Sequence, residues 1–512
     1  MGSTSGVTIS PWMAWAERPR FSPLDGHARA DVCVVGAGIA GLTTACLLTR
    51  EGLSVVVLDD GPIGGGETGR TTAHLSNALD DRYYNLEQLF GERGARLAAE
   101  SHTAAIDCIE RVGREEEIDC DFERLDGYLF VPPDESKEEL EREIDAARRA
   151  GLRDVEWVSG APIADFDTGR CLRFPRQAQF SPLDYLAGLA RAVTRGGGRV
   201  CTGTHAAGIR GGSPARVTTS GGHVVTAGAV VVATNVPVND TLLVSTREGK
   251  YRTYVIGARV PRGSVTKALY WDTPDPYHYV RVQTVKNGNG GDPYDLLIVG
   301  GEDERTGDHD DGDERFAELW RWTRRRWPMI GRVEFCWSGQ IVEPTDSLAY
   351  IGRMPQAEPN VLIASGDSGH GLTHGTIAGL LLTDLIRGRP NEWAWLYDPS
   401  RLRSVSTRDF VSENLNVAAH YTDWLTGGEV SSADEIKPGE GCIIRRGLTK
   451  VAAYRDEDGV LHERQAVCTH LGCAVSWNST EKSWDCPCHG SRFDRYGRVV
   501  NGPANTNLAG GD

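Results

Sequence analysis

The sequence predicts an α/β domain with an interleaved mixed-sheet domain, followed by a small all-β domain. Near the N-terminus a β-branched run is followed by a Gly-rich turn and an apolar helical pattern, and two further α/β stretches lie at residues 185–233 and 360–386. Short strand patterns at close spacing begin at Pro438. The segments in between, 81–160 and 245–340, are rich in Trp and Tyr and are expected to form a separate sheet that faces a ligand.

Length and charge limit the possible functions. The chain has 512 residues, and at about 150 residues per domain this predicts two to four domains. The net charge of −16 argues against nucleic acid or an anionic membrane as a partner. No long apolar run and no basic start followed by an apolar run is visible, so we expect no membrane span, no secretory signal and a cytoplasmic location. Residues 1–28 are predicted to be an N-terminal leader with a flexible start at 1–6, and residues 399–428 a linker.

The first βαβ unit carries a dinucleotide-binding signature. From Asp31 the chain reads DVCVVGAGIAGLTTACLLTREGLSVVVLDDG, with G-x-G-x-x-G at Gly36, Gly38 and Gly41 between a strand and a helix. The first Gly permits the turn, the second lets backbone approach a pyrophosphate, and the third lets helix and strand pack closely. The helix N-terminus then stabilises the phosphate charge. Asp59 ends the second strand, where an acidic residue binds a ribose hydroxyl, so the unit predicts a Rossmann-like domain that binds NAD or FAD.

Three later segments resemble the D-amino-acid-oxidase-like (DAO) family of FAD-dependent oxidoreductases. They are GGGETGRTTAHLSNAL (64–79), VVVATN (230–235) and GDSGHGLTHG (366–375), and the resemblance spans residues 28–390. It implies FAD as the cofactor, FAD-binding segments at 29–80, 161–244 and 341–398, and substrate-domain segments at 81–160 and 245–340. The FAD contacts that it implies are Gly36, Gly38, Gly41, Asp59, Arg70, Thr71, Thr72, Gly369 and Gly371, with Ala73 and His74 beside the ring system.

Some members of that family bind their flavin covalently. His74 lies where dimethylglycine-dehydrogenase-like relatives place a linking His, and Cys336 lies near the linking Cys of sarcosine-oxidase-like relatives. For His74 we favour an unlinked position at the ring edge over a covalent bond. For Cys336 we favour a buried structural thiol.

Four Cys and two His lie close together near the C-terminus, in CTHLGC (468–473) and CPCHGS (486–491). In a reducing compartment this pattern is typical of a metal site. Two thiolates suit one iron of a [2Fe–2S] cluster, and two His on the other iron raise its potential. The motifs resemble the Rieske ferredoxin domain over residues 429–512, with a four-ligand zinc ribbon as the alternative. The resemblance implies Cys468, His470, Cys486 and His489 as ligands and a disulfide between Cys473 and Cys488.

Two departures from the respiratory Rieske pattern are visible. Respiratory members carry a Tyr two residues after the Ser of the second motif, whereas this chain keeps Ser491 and has Phe493 there. Hydrogen-bond donors around a cluster raise its potential, so we expect a potential below the respiratory type. The sequence also ends with NGPANTNLAGGD, so the closing strand is expected to be short or missing.

The segment DPYHYVR offers candidate substrate contacts. Tyr277, His278, Tyr279 and Arg281 combine aromatic faces with a cation, although alternate strand residues can equally be half core and half surface. With His74, we take Tyr277, His278 and Arg281 as catalytic candidates. Sarcosine-oxidase-like relatives place a carboxylate-binding Lys at the position of Thr373, which argues against a simple N-methyl amino acid as substrate.

Two classes of function follow from the two resemblances. One is a flavin dehydrogenase or oxidase that acts at a carbon next to nitrogen in an amine or amino-acid-like small molecule and passes electrons through the cluster to an external acceptor. The other is a redox relay, or a flavin monooxygenase into which electrons enter through the cluster from a donor such as a ferredoxin. A Rieske oxygenase is disfavoured, because its candidate iron ligands Asp367, His370 and His374 lie N-terminal to the cluster motifs and inside the flavin-family loop.

Overall fold

The computed structural model describes residues 5–132, 135–238, 244–285, 293–355, 359–401, 429–430, 432–447 and 449–510. The helices in these ranges are α1 (Pro11–Trp15), α2 (Ile39–Arg50), α3 (Tyr83–Glu115), α4 (Glu138–Arg149), α5 (Pro182–Arg195), α6 (Gly312–Arg326), α7 (Gly371–Arg387) and α8 (Trp393–Tyr397). Of these helices, none combines the length and the apolar composition that a membrane crossing requires.

The first sheet contains the predicted βαβ unit. Its strands are β1 (Ala28–Val35), β2 (Val55–Leu58), β7 (Arg199–Cys201), β8 (Ala206–Arg210), β9 (Ala215–Thr219), β10 (Val224–Val232), β16 (Tyr350–Arg353) and β17 (Val361–Ser365). They lie in the order β16-β17-β10-β1-β2-β7, and the hairpin of β8 and β9 extends from β10. The last four residues of β1 are buried, since β1 has parallel neighbours on both sides, α2, α5 and α7 pack on one face of the sheet, and residues of β8 and β9 pack on the other. The α/β prediction is confirmed.

The second sheet is mixed. Its strands are β3 (His74–Leu75), β4 (Glu123–Phe130), β5 (Glu156–Val158), β6 (Cys171–Gln179), β11 (Glu248–Pro261), β12 (Leu269–Asp272), β13 (His278–Val285), β14 (Tyr294–Arg305) and β15 (Val333–Pro344). They lie in the order β15-β11-β14-β13-β12-β4-β6-β3, with β5 paired to β6. Because β6 pairs with β4, the second sheet includes residues beyond 160, where the first substrate-domain segment was expected to end.

The C-terminal domain holds two small antiparallel sheets. One contains β18 (Gly441–Arg446), β19 (Thr449–Arg455) and β20 (Leu461–Gln465), and the other contains β21 (Ser476–Asn478), β22 (Ser483–Asp485), β23 (Arg492–Asp494) and β24 (Val499–Asn501). The expected short closing strand is β24, after which the chain returns to pair Gly510 with Arg464. Most of the predicted linker lies outside the described residues. Its start belongs to the first domain, because Arg401 is buried in an ion pair with Asp346 at 2.7 Å.

The N-terminal segment is part of the folded structure from Ser5 onward, so the prediction of a separate leader is wrong for those residues. Trp12 on α1 is buried, and its indole Nε1 donates to the Thr71 carbonyl oxygen at 2.7 Å. The Ser10 hydroxyl donates to the Gly69 carbonyl oxygen at 2.5 Å. A short amphipathic segment with two Trp gives too weak a periodic signal for sequence reasoning to assign it to a core.

A buried charge network joins the C-terminal domain to the rest of the chain. The Arg70 guanidinium lies 2.8 Å from Glu481, and that of Arg252 lies 3.0 Å from Asp485. Arg492 lies 3.2 Å from Asp485, and Ser5 and Glu67 contact its guanidinium. Burial alone raises the pKa of Glu481, but the three Arg side chains outweigh it and hold that pKa at about 2. The carboxylate therefore stays ionised at neutral pH.

We predict that Glu481→Gln loosens the C-terminal domain. The substitution leaves Arg70 and Arg252 buried without their shared carboxylate, which costs about 3–5 kcal/mol. Denaturant unfolding and limited proteolysis between the domains measure the effect. As a matched control, Glu440→Gln removes the partner of Lys482 in an exposed pair and should cost about 0–1 kcal/mol.

The effect of Glu481→Gln should also depend on pH. Because the folded pKa of Glu481 lies below its ordinary value of 4.5, the stabilisation is complete above that value and is lost as the pH falls toward 2. The stability difference between wild type and variant should therefore shrink below pH 4.5. A difference that stays constant through this window would contradict the assignment of an ionised Glu481.

Candidate active site and cluster site

A cavity of about 320 Å³ lies where the first and second sheets meet. One wall contains the carboxyl ends of β1, β2, β10 and β17 with their loops, the edge at which open α/β sheets bind ligands. A second wall comes from β11, β12, β13 and β15, and a third from residues 499–505 of the C-terminal domain. The cavity is thus shared by all three sections of the fold.

The Gly-rich turn forms a cradle that no other residue type can form. Gly36 has φ +109°, and a Cβ there would collide with the Ala233 carbonyl group. A Cβ at Gly41 would collide with the Gly36 carbonyl oxygen. Gly38 lines the cavity as the N-cap of α2 and has no side chain to cap it, while the Ile39 N–H donates to Thr68 Oγ1 at 3.2 Å. The cradle and the helix N-terminus fit the pyrophosphate of a dinucleotide.

Asp59 lies beside this cradle. Its carboxylate accepts hydrogen bonds from the backbone N–H groups of Ala37 (2.6 Å) and Gly61 (2.8 Å) and lines the cavity. Burial, and then the neighbouring Asp60, raise the pKa of Asp59 to about 7. Asp59 thus lines the cavity beside the cradle, and its ribose contact stays a prediction.

The loop after the 3₁₀ turn at Glu67–Gly69 places Thr71, Thr72 and His74 along the cavity, while Ala73 is buried just behind them. His74 Nε2 lies 3.2 Å from the Val280 carbonyl oxygen, and its Nδ1 lies 3.0 Å from the Thr72 hydroxyl. Since a carbonyl oxygen only accepts, Nε2 carries the proton and Nδ1 accepts from Thr72. Burial, and then Arg281, lower the pKa of His74 to about 3. Both nitrogens of a neutral ring are therefore engaged, which favours the unlinked alternative.

Arg70 reaches the cavity, but its guanidinium is directed toward the C-terminal domain. It donates to Glu481 (2.8 Å), to the Ser338 carbonyl oxygen (2.9 Å) and to Thr8 (2.9 Å). The predicted FAD contact of Arg70 therefore does not use a free guanidinium.

The structure gives Arg281 a supporting position instead of a place in the cavity. Its buried guanidinium donates to the carbonyl oxygens of Thr72 (3.3 Å), Ala73 (3.0 Å) and Phe180 (3.2 Å), and burial lowers its pKa to about 9. Arg281 thus holds the loop that lines the cavity. Its prediction as a catalytic residue is corrected, because the cavity lining does not include it.

Strand alternation separates the other candidates from DPYHYVR. Tyr277 and Tyr279 line the cavity, and the Tyr279 hydroxyl lies 2.6 Å from Thr253 Oγ1. His278 points to the opposite face, where Asp272 (3.1 Å) and Glu302 (3.2 Å) flank its ring. Its ring stacks on Trp322 at 4.2 Å. The prediction of His278 as a catalytic residue is therefore corrected as well.

The GDSGHGLTHG segment lies at the start of α7, where Gly369 and Gly371 line the cavity. Asp367 accepts from the Val342 N–H at 3.0 Å, His370 accepts from the Asp80 N–H at 3.0 Å, and His374 Nδ1 lies 2.8 Å from the Asp367 carbonyl oxygen. Across the described ranges, the side chains spaced closely enough to hold a metal ion are Cys473, Cys486 and Cys488. Asp367, His370 and His374 thus take part in hydrogen bonds around the start of α7.

Cys336 is exposed and does not line the cavity, so the expectation of a buried thiol is wrong. It lies on β15, whose neighbouring residues from Trp337 onward are buried. Along the chain, β15 therefore enters the core at Trp337, one residue after Cys336.

Sequence reasoning missed an acidic region at the second-sheet end of the cavity. Asp80 lines the cavity, and Asp303 and Glu343 lie close enough to interact with it electrostatically. Burial, and then these neighbouring carboxylates, raise the pKa of Asp303 to about 7 and that of Glu343 well above its ordinary value. Among the described lining residues, the one Lys or Arg is Arg70, which is paired with Glu481. Asp80 lies between β3 and α3, whereas Asp303 and Glu343 lie on β14 and β15, so no sequence signal brings these distant acids together.

The two C-terminal motifs converge on a second site. The thiols of Cys468 and Cys486 are within hydrogen-bonding contact, and the rings of His470 and His489 lie 5.0 Å apart between centroids. Cys473 and Cys488 form a disulfide that joins the two loops. Two thiols and two imidazoles on braced loops are the donor set of a [2Fe–2S] cluster with mixed ligands, so the residues fit the predicted group.

The residues around this site follow the predicted pattern. The Ser491 hydroxyl hydrogen-bonds the Cys468 thiol and accepts from the Ala504 N–H at 3.0 Å. Phe493 is fully buried on β23 in the core of the domain. Ser491 is therefore in place to donate to a ligand, while Phe493 offers no hydroxyl.

Comparisons with known proteins identify both parts of the chain. The family model described as FAD dependent oxidoreductase (DAO) matches residues 31–385, and that of the Rieske [2Fe-2S] domain matches residues 427–510. YhfW of Bacillus subtilis (strain 168), named as a Rieske 2Fe-2S iron-sulfur protein, is 32% identical over 96% of this chain and 95% of its own length. Gamma-glutamylputrescine oxidoreductase of Escherichia coli (strain K12) is 27% identical over 72% of this chain and 86% of its own. The glycine oxidase structure from Geobacillus kaustophilus matches 73% of this chain and 99% of its own, with TM-score 0.61 and 20% identity, and so shares the fold.

We predict that Ser491→Ala lowers the midpoint potential of the cluster, because it removes a donor to the predicted ligand Cys468. A loss of about 60 mV corresponds to ~1.4 kcal/mol for a one-electron couple. Phe493→Tyr should raise the midpoint where the new hydroxyl reaches a ligand. Redox titration followed by electron paramagnetic resonance measures both.

The control for this pair is Ser476→Ala on β21, which should leave the midpoint unchanged. A Ser491→Ala protein with full iron content and an unchanged or higher midpoint would show that the hydroxyl does not tune the cluster.

Proposed function

We propose that this chain, which belongs to the DAO family of FAD-dependent oxidoreductases and ends in a Rieske [2Fe–2S] domain, oxidises a C–N bond of an amine-like small molecule. In this proposal the electrons pass from the flavin to the cluster of the same chain and then to an external one-electron acceptor. Gamma-glutamylputrescine oxidoreductase, to which the chain is similar, has an amine in its name, and this supports the substrate class.

The main support for electron transfer within one chain is a contact between the cavity and the cluster-binding loop. Gln340 lines the FAD cavity, and its side-chain Nε2 donates to the carbonyl oxygen of Gly490 at 3.0 Å. Gly490 directly follows the predicted cluster ligand His489, and a Cβ at Gly490 would collide with Gln340 and Lys250. A single side chain therefore spans from the cavity to the cluster-binding loop. Such proximity favours exchange within one chain over exchange between molecules.

FAD supplies hydride acceptance from a carbon next to nitrogen, and the cluster supplies one-electron transfer. The chain's own residues provide the binding and the orientation. The Gly36–Gly41 turn and α2 hold the pyrophosphate, and the loop from Thr71 to His74 lines the cavity with Arg281 behind it. His489 is buried whereas His470 is partly exposed, which leaves the His470 side of the cluster for the external acceptor.

The charges in the cavity favour an amine over an amino acid. A carboxylate substrate needs a cation, and the lining residues that the structure describes offer Arg70, whose guanidinium is paired with Glu481. An ammonium group is suited to Asp80 and to the aromatic faces of Tyr277 and Tyr279. A substrate cation would also favour the ionised forms of Asp303 and Glu343, whose pKa values burial and the neighbouring carboxylates raise.

The direction of electron flow is tested by mixing the oxidised protein with a panel of amines and amino acids without oxygen. We expect at least one cationic amine to bleach the flavin of wild type and of His470→Ala, which lacks a predicted cluster ligand. Steady-state turnover with a one-electron acceptor should fall sharply in His470→Ala and persist in the control His462→Ala, which changes a His paired with Asp456.

The reverse direction gives a different pattern. If electrons enter at the cluster, substrate alone bleaches neither protein, and an external donor reduces the flavin of wild type but not that of His470→Ala. That result would overturn the proposed direction.

We further predict that Asp80→Asn weakens binding of the amine. Losing one charged hydrogen bond should raise KM roughly tenfold for a cationic amine, with a smaller change in kcat. The control Asp60→Asn removes a carboxylate at the nucleotide end of the cavity and, with FAD at saturation, should leave that KM unchanged. Equal KM values for wild type and Asp80→Asn would exclude Asp80 as the amine partner.

A further inference from the structure

The C-terminal domain contributes a wall to the FAD cavity. Val499, Val500, Asn501, Gly502, Ala504 and Asn505 all line it. They begin on β24 and continue into the loop that follows, within the domain that binds the cluster. We call this segment, residues 499–505, the C-terminal wall.

Side-chain contacts hold the C-terminal wall against the first and second sheets. The Asn501 amide donates to the side-chain oxygen of Gln340. The Asn505 amide donates to the Ala206 carbonyl oxygen at 3.2 Å. Between these two anchors, a Cβ at Gly502 would lie 3.4 Å from the Val236 carbonyl oxygen. The wall is therefore fixed at both ends and in close contact in the middle.

The burial pattern agrees with a wall rather than a free loop. Gly502, Pro503 and Ala504 are buried, whereas the next residues, Thr506 and Asn507, are exposed. The middle of the wall is thus covered, and its Gly502 and Ala504 line the cavity.

The Asn505 end of the wall lies at the nucleotide end of the cavity. Ala206 follows His205, whose ring lies 3.3 Å from Asp60, and the Thr204 N–H donates to the Asp59 carbonyl oxygen at 2.8 Å. Asp59 marks the position expected for a ribose. Asn505 would therefore be the wall residue on the side of the adenosine half of a bound FAD.

From this placement we infer that the C-terminal wall completes the FAD site, so that the docked C-terminal domain retains FAD. Residues that touch a ligand only in the docked arrangement link docking to binding: FAD stabilises the docked domain, and docking slows the release of FAD. The same wall contacts the cluster site, because the Ala504 N–H donates to Ser491. The cluster domain thus serves as a structural part of the flavin site in addition to any role in electron transfer.

The test uses the full-length protein with its cluster and with bound FAD. FAD release is followed by flavin fluorescence after dilution into an excess of a flavin-binding trap protein. The double variant Asn501→Ala/Asn505→Ala loses both anchors, and its release rate should rise about tenfold. Thr506→Ala, an exposed neighbour outside the cavity lining, should release FAD at the wild-type rate.

A second measurement needs no variant. Hydrogen–deuterium exchange of wild type is compared with and without FAD. Amides of the C-terminal wall should exchange more slowly with FAD bound, while those of β19 in the same domain should not change. Equal exchange in the wall with and without FAD, or wild-type FAD release from the double variant, would overturn the inference.

Discussion

The buried charge network of Arg70, Arg252, Glu481, Asp485 and Arg492 is the interaction on which the arrangement of the molecule depends. Isolated charges at this depth would be very unfavourable, but here each carboxylate contacts more than one guanidinium. An apolar contact tolerates sliding between domains, whereas buried ion pairs form only in one relative position of the two domains. The network therefore determines which face of the C-terminal domain meets the flavin-binding part.

This relative position of the domains has two consequences for the site. It places the cluster-binding loop against Gln340, and it places residues 499–505 along the FAD cavity. Arg70 connects them, because it pairs with Glu481 and is the one Arg or Lys among the cavity-lining residues that the structure describes. The ion pair of Arg70 with Glu481 therefore helps to fix the C-terminal domain. It also leaves the carboxylates at the second-sheet end of the cavity without this guanidinium as a partner.

The elements that sequence reasoning predicts correctly are those whose signals are local. The turn at Gly36 and Gly41 depends on glycines that lie a few residues apart, and the two C-terminal motifs hold Cys and His at short spacing, so both are recognisable in the sequence alone. The contacts that it misses are formed by residues far apart in the chain, such as Trp12 with Thr71 or Asp80 with Asp303. His278 and Arg281 are residue types that often act in active sites. In this structure His278 stacks on Trp322, and Arg281 donates to the Thr72 carbonyl oxygen, so neither side chain lines the cavity. Composition does not reveal which face of a strand is turned to a cavity.

The central claim is that flavin and cluster of one chain exchange electrons without leaving the docked arrangement. The most direct measurement is rapid freeze-quench electron paramagnetic resonance after anaerobic mixing of the oxidised protein with a reducing amine, at several protein concentrations. The account predicts that the reduced-cluster signal appears as the flavin is reoxidised, with a rate constant that does not change with protein concentration. A rate that rises in proportion to protein concentration, or a cluster that stays oxidised while the flavin remains reduced, would contradict it.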